Sequence, residues 1–333
     1  MPRQARIDAP GAFHHITCRG LERRKIFLDD IDRDSFVSRL GQILEKTSTR
    51  CFAWALIPNH FHLLLQTGSI PLATVMRRLM TGHAVFFNRR HKRVGHVFLN
   101  RYKSILCQME PYLLELVRYI HLNPIRAKIV TSMEELPNYK YCGHGRLLGA
   151  EGYRWQETQE VLQRFGPELK AACGKYEAFV REGIAMGKRP DLTGGGLARS
   201  FGGWTNVLST RRSGVLLRSD ERILGDSDFV EMVLGASDEQ LEKKIQYRRE
   251  GVELEQAAQR VSDLLQLNVD EVWRPSKKPV MVWARSLLCY WATHELGIPG
   301  TEVGAKLGLT QSAVSRSVGR GAKLAEENGW RLR

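Results

Sequence analysis

Between Glu45 and Glu110 the sequence contains no aspartate and no glutamate, although 26% of its 333 residues are charged. The same segment holds Lys46, Arg50, Arg77, Arg78, Arg89, Arg90, Lys92, Arg93, Arg101 and Lys103. The missing acids exclude a carboxylate-based two-metal centre from this stretch, and they leave a one-sign field that attracts a polyanion, above all nucleic acid. A surface that is merely solvated normally mixes both signs. Long apolar runs are also missing. No stretch approaches 18 uncharged apolar residues, and MPRQARIDAPGAF has no apolar core of a signal peptide, so a cytoplasmic location is expected. The six cysteines stand singly, with no CxxC pair to suggest a zinc or disulfide framework. No period of 20 to 50 residues repeats, which excludes a solenoid.

What is present is an alternation of strand-like and helix-like segments. AFHHITCR (12–19) has β-type content. Residues 29–46 carry acids in the first turn and Phe36, Val37, Leu40, Ile43 and Leu44 at helical spacing. RCFAWALIP (50–58) and NHFHLLLQ (59–66) are two apolar runs separated by Pro-Asn, a tight-turn signal. Residues 71–93 predict a basic helix opened by proline, 95–107 a fourth strand, and 110–124 a helix stopped by Asn-Pro. The order β-α-β-β-α-β followed by a helix predicts an α+β fold, a ferredoxin-like antiparallel sheet with helices on one face and the other face open for a ligand. Three regions are expected: residues 1–150 as the α+β domain, 151–235 as a helical connecting region, and 236–333 as a second, helical domain. GGGLARSFGG within the connecting region lacks the Gly-Lys-Ser/Thr ending and the preceding strand of a phosphate loop.

Nine of the ten histidines lie in the first 144 residues. In a strand, residues i and i+2 share a face, so His60 and His62 project together while Phe61, Leu63 and Leu65 turn to the opposite side. Two neighbouring imidazoles suit a divalent metal. On the helix that follows, Tyr119 and Asn123 fall on one line at four-residue spacing. A tyrosine hydroxyl attacks a phosphodiester only when metal or cations polarise the phosphate.

PNHFHLLLQ, a basic helix, GHVFLNRYKSIL and VRYIHLNPIRAKIV, in this order across residues 10–145, resemble the single-tyrosine HUH transposases, specifically the REP-associated tyrosine transposases. The resemblance implies a Mg2+- or Mn2+-dependent nuclease and strand transferase acting on single-stranded DNA hairpins of repeat type. It matches His60 and His62 to metal ligands, Tyr119 to the nucleophile and Asn123 to a third polar ligand. His121 competes for the last role. A 5′-phosphotyrosine intermediate follows, with Arg77, Arg78, Arg89, Arg90, Lys92, Arg93, Arg101 and Lys103 expected to hold DNA.

The last 60 residues are again basic. In GTEVGAKLGLTQSAVSRSVGR the placement of Gly304, Gly308 and Val314 predicts two closely crossed helices of a helix-turn-helix, with Thr310 as N-cap and Gln311, Ser312, Ser315 and Arg316 facing DNA. The region resembles the C-terminal DNA-binding domain of the replication initiator DnaA, and duplex DNA is the implied partner. Two other readings stay open: a non-catalytic DNA-binding regulator, and metal-dependent hydrolysis by water with Tyr119 as bystander. Monomer and homodimer are both compatible with the sequence.

Overall fold

The Pro58-Asn59 pair folds as a two-residue turn, and the strands it joins pair from Ile57 opposite His60 to Arg50 opposite Gln66. This hairpin organises a computed structural model that describes residues 7–9, 11–68, 70–187, 189, 192, 220–235, 247 and 250–332. The chain divides into two compact units, Met1–Met232 and Val233–Arg333. GGGLARSFGG lies outside the described residues.

In the first unit β1 (Phe13–Arg19) is followed by α1 (Asp30–Thr47), β2 (Arg50–Ile57), β3 (His60–Gln66), α2 (Leu72–Arg90), β4 (Lys103–Cys107) and α3 (Met109–His121). Asp29 caps α1 by accepting from the Asp32 N–H, and Ser48 ends it in a left-handed conformation. The sheet order is β2-β3-β1-β4-β5, where β5 is Ile223–Leu224, with β3 and β4 both antiparallel to β1. The first four strands thus have the expected ferredoxin-like order.

The period-two pattern sends alternate side chains into two cores. Ile16, Phe61, Leu63 and Leu65 pack with Phe36 and Leu40 of α1 and Val75 and Leu79 of α2. Phe13, Phe52, Leu64 and Ile105 pack with Leu113, Leu116, Val117 and Ile120 of α3. The second face is therefore covered over much of its area instead of being open, because the apolar stripe of α3 needs a surface to bury against.

The fourth strand begins at Lys103, not at 95. Residues 95–102 form a loop tied beside β1 by the Gly20–Phe98 bridge and by the Leu99 N–H, which donates to the Arg19 carbonyl at 3.0 Å. Two-residue β5 (Ile223–Leu224) pairs parallel with β4, so the sheet is mixed. The helix expected over 110–124 ends at His121, and Asn123-Pro124 opens a separate turn, α4 (Asn123–Arg126). Proline at a helix start has no orphan N–H to lose. Next come α5 (His144–Leu147), α6 (Gln159–Gln163) and α7 (Leu169–Glu182), from which Val161, Leu162, Tyr176 and Val180 enter the α3 core.

The second unit contains α8 (Leu254–Leu265), α9 (Val269–Trp273), α10 (Pro279–Tyr290), α11 (Gly300–Leu307) and α12 (Gln311–Asn328). Gly308 takes the left-handed conformation that ends α11, and the Thr310 hydroxyl accepts from the Ala313 N–H at the start of α12. A Cβ on Gly321 would collide with the Ser286 carbonyl oxygen, so α10 and α12 cross at a distance only glycine permits. No helix among the described residues is long and apolar enough to cross a membrane.

Candidate active site on the α3 side of the sheet

His60 and His62 stand on the same face of β3, their ring centroids 5.1 Å apart. Across the ladder Thr17 is opposite His62 and Arg19 opposite His60, while Lys103 of β4 is opposite Thr17. These residues share one face of the sheet. Tyr119, half-buried on α3, brings its ring to 5.9 Å from that of His62. His60, His62 and Tyr119, far apart in sequence, therefore meet at one end of the covered face.

The sequence reading missed His15. Its Nε2 lies 3.1 Å from Nδ1 of His62, and its ring is 5.8 Å from that of Tyr119. Only half of the signal lay in the sequence: in AFHHITCR, His15 and Thr17 share a face by parity, but that this is the face of His60 and His62 follows only from the pairing of β1 with β3. Thr17 Oγ1 is 3.2 Å from the same Nδ1 of His62, and Asn59 Oδ1 is 2.7 Å from Nδ1 of His60. Both imidazoles are thus held at Nδ1. With the proton on that atom each donates to its protein partner and offers the Nε2 lone pair outward, the tautomer a metal-binding histidine needs.

The electrostatics support the neutral form. Burial, followed by the Arg19 charge, lowers the pKa of His60 to about 4. His62 is held well below its ordinary value, first by burial and then by His15, His60, Arg19 and Arg126. Burial raises the pKa of Tyr119, and Arg126 and Arg19 oppose the rise.

Among the described residues, no group of three or more His, Cys, Asp or Glu side chains is arranged to hold a metal. Any third protein ligand beside the two histidines would therefore be of another residue type. Asn123 Nδ2 donates to the carbonyls of Tyr119 (2.9 Å) and Ile120 (3.2 Å), which leaves its amide oxygen as the free end. Its competitor His121 points away from Tyr119: its Nδ1 is 2.7 Å from the Tyr176 hydroxyl, in a buried cluster with His144. Two neutral imidazoles and one amide oxygen form a sparse donor set. A hard divalent ion that keeps waters and takes substrate phosphate oxygens fits such a set.

The expected DNA contacts separate into groups. Arg77 and Arg78 line a concavity of about 530 Å³ with Arg39, Gln42, Lys46 and Thr81, on the α1/α2 side of the sheet and so across it from Tyr119. Arg90 is engaged by Asp29 (2.6 Å) and Asp32 (2.7 Å). Arg93 lies over the Phe87 ring at 5.5 Å. Arg89, Lys92 and Arg101 are exposed. In the second unit Gln311, Ser312 and Arg316 are exposed on the first turns of α12, while Ser315 is half-buried and donates to the Gln311 carbonyl.

Residues 11–123 match the family model of the IS200-like transposases. This is the stretch whose motifs carry the resemblance, and over it the chain is similar to that family. A solved structure of a REP-associated tyrosine transposase bound to a REP hairpin is similar at 16% identity and a TM-score of 0.38, over 47% of this chain and 92% of that one. No curated protein matches the chain.

Proposed function

We propose that the first unit is a metal-dependent single-stranded DNA endonuclease and strand transferase, with Tyr119 as nucleophile and a repeat-type hairpin as substrate. The observation that carries the reading is the meeting of His60, His62 and Tyr119 at one end of the sheet. The transposase match over residues 11–123 supports it.

His60, His62 and Asn123 would hold Mg2+ or Mn2+, which supplies Lewis-acid polarisation of the scissile phosphate. The Tyr119 oxygen attacks phosphorus while its proton passes to solvent. A P–O bond to tyrosine forms, the bond to the 3′ oxygen breaks, and that oxygen leaves as a hydroxyl after taking up a proton. The 5′-phosphate stays on the enzyme, and attack by a second 3′-hydroxyl reverses the step. Rejoining needs no nucleotide cofactor, because the phosphotyrosine bond keeps the energy of the ester.

Duplex DNA is the partner proposed for the second unit, gripped by the exposed start of α12. Its close helix crossings at Gly304 and Gly321 and the capped turn at Thr310 support this reading.

The test uses the full chain and a Tyr119→Phe variant with end-labelled hairpins and Mg2+, resolved on denaturing gels. A protein–DNA adduct made by wild type alone, carrying the 3′-labelled fragment, is expected. Cutting by both proteins without an adduct would make water the nucleophile. Binding without cutting would make the protein a regulator.

A further inference from the structure

Arg126 has a place at this site that neither its charge block nor its motif position explains. The turn α4 brings it back beside the tyrosine of the preceding helix: its guanidinium carbon lies 5.0 Å from the Tyr119 ring centroid, and Nη1 donates to the Tyr119 carbonyl at 3.2 Å. Partial desolvation lowers its pKa, with Arg189 and Arg118 adding to the effect. Those two arginines share an acid, Glu115, at 2.6 Å from Arg189 and 2.5 Å from Arg118. Arg126 has no carboxylate partner among the described residues, and its outer side is exposed. Arg19 completes the arrangement from β1. It stands directly across from His60 in the ladder, exposed and likewise without an acid among the described residues.

A ring and a carbonyl compensate only part of a partly desolvated cation, and with no carboxylate partner among the described residues the rest of its charge is left for an anion. Arginine's planar fork suits two oxygens of one phosphate. We infer that Arg126 is a further catalytic residue, whose guanidinium contacts the non-bridging oxygens of the phosphate under attack by Tyr119, with Arg19 facing the same group from the β1 side. The inference rests on the proposed reaction at Tyr119. As the new P–O bond to tyrosine forms and the bond to the 3′ oxygen breaks, no proton or electron passes through Arg126. It supplies a fixed positive charge where the phosphoryl oxygens carry negative charge, and it contributes most when water is excluded.

The competing explanation is structural: a residue that caps the α3 carbonyls and packs on a ring. The two are separated by single-turnover adduct formation on a labelled hairpin with Mg2+, run with the full chain, Arg126→Lys and Arg126→Ala, alongside hairpin affinity and melting temperature. Arg126→Ala should slow adduct formation by about 10²–10³-fold, the usual loss for one preorganised charge-stabilising donor. Melting temperature and hairpin affinity should stay close to wild type. Arg126→Lys should recover part of the rate, and added guanidinium ion should accelerate Arg126→Ala while doing nothing for Tyr119→Phe. An Arg126→Ala rate equal to wild type overturns the inference, as does a slowing that follows the melting temperature and resists guanidinium. If wild type itself forms no adduct, the reading of Tyr119 falls, and the role of Arg126 falls with it.

Discussion

Nε2 of His15 meets Nδ1 of His62 at 3.1 Å, and the two rings stack with centroids 5.4 Å apart. His15 is buried at 2% exposure and projects from the same face as His62, so the contact fixes the ring of His62 from the neighbouring strand.

On the proposed reading His62 is a metal ligand, and a histidine that orients such a ligand acts on metal affinity before it acts on folding. His15→Phe should keep the packing volume and weaken Mg2+ or Mn2+ dependence, raising the metal concentration for half-maximal cleavage by roughly 10–100-fold. Metal titrations of cleavage by the two proteins check this. An unchanged midpoint would make His15 a packing residue.

Tyr176 presents a different kind of dependence. Its hydroxyl is 2.7 Å from Nδ1 of both His121 and His144, and all three residues are completely buried. One hydroxyl proton serves one imidazole, so the other must donate. Tyr176→Phe strands both nitrogens, at about 1–3 kcal/mol for each buried group left unsatisfied. At about 2–4 °C per kcal/mol for a unit of this size, the midpoint of thermal unfolding should fall by roughly 4–24 °C. Calorimetry of the two proteins tests it, and no change would mean that water replaces the hydroxyl.

His83 predicts an acid sensitivity. Burial lowers its pKa to about 4, in spite of the hydrogen bond its Nε2 makes to the Ile26 carbonyl at 2.8 Å. The folded state holds the neutral form. As pH falls below the ordinary histidine value, the unfolded chain takes up a proton that the native chain refuses. Stability present above pH 6.5 is therefore lost progressively down to about pH 4. His83→Gln keeps a donor for Ile26. It should narrow the difference in unfolding free energy between pH 7.5 and 4.5 by about 2–3 kcal/mol. Urea melts at the two pH values measure it, and an undiminished difference refutes the assignment.

The strands, their order and the facing of His60 and His62 were legible because period two is a local property of NHFHLLLQ. The position of Tyr119 beside them was legible only through the family motifs, since no local pattern relates residue 62 to residue 119. His15 escaped because AFHHITCR has apolar and polar residues on both faces, so its phase is visible only once its pairing with β3 is known. Arg126 escaped because the charge reading followed the acid-free segment, which ends before it. The parallel strand β5 is two residues long and returns to β4 from Ile223–Leu224, beyond the reach of any local signal.

The same limit applies to the basic residues, whose number is visible in sequence but whose partners are not. Arg90 is neutralised by Asp29 and Asp32, whereas Arg77 and Arg78 line the α1/α2 concavity with Arg39 and Lys46, and no ion pair involves any of these four among the described residues. Counterion release counts only cations that gain a phosphate. The double variant Arg77→Gln, Arg78→Gln should therefore flatten the dependence of hairpin affinity on salt, by about 0.7 in log–log slope for each phosphate no longer neutralised. Arg90→Gln should leave the slope unchanged and lower the melting temperature, because it removes the tie between the end of α2 and the start of α1. Affinities at several salt concentrations, with melting curves beside them, distinguish the two kinds of arginine. A slope change from Arg90→Gln as large as from the pair would show that DNA displaces Asp29 and Asp32.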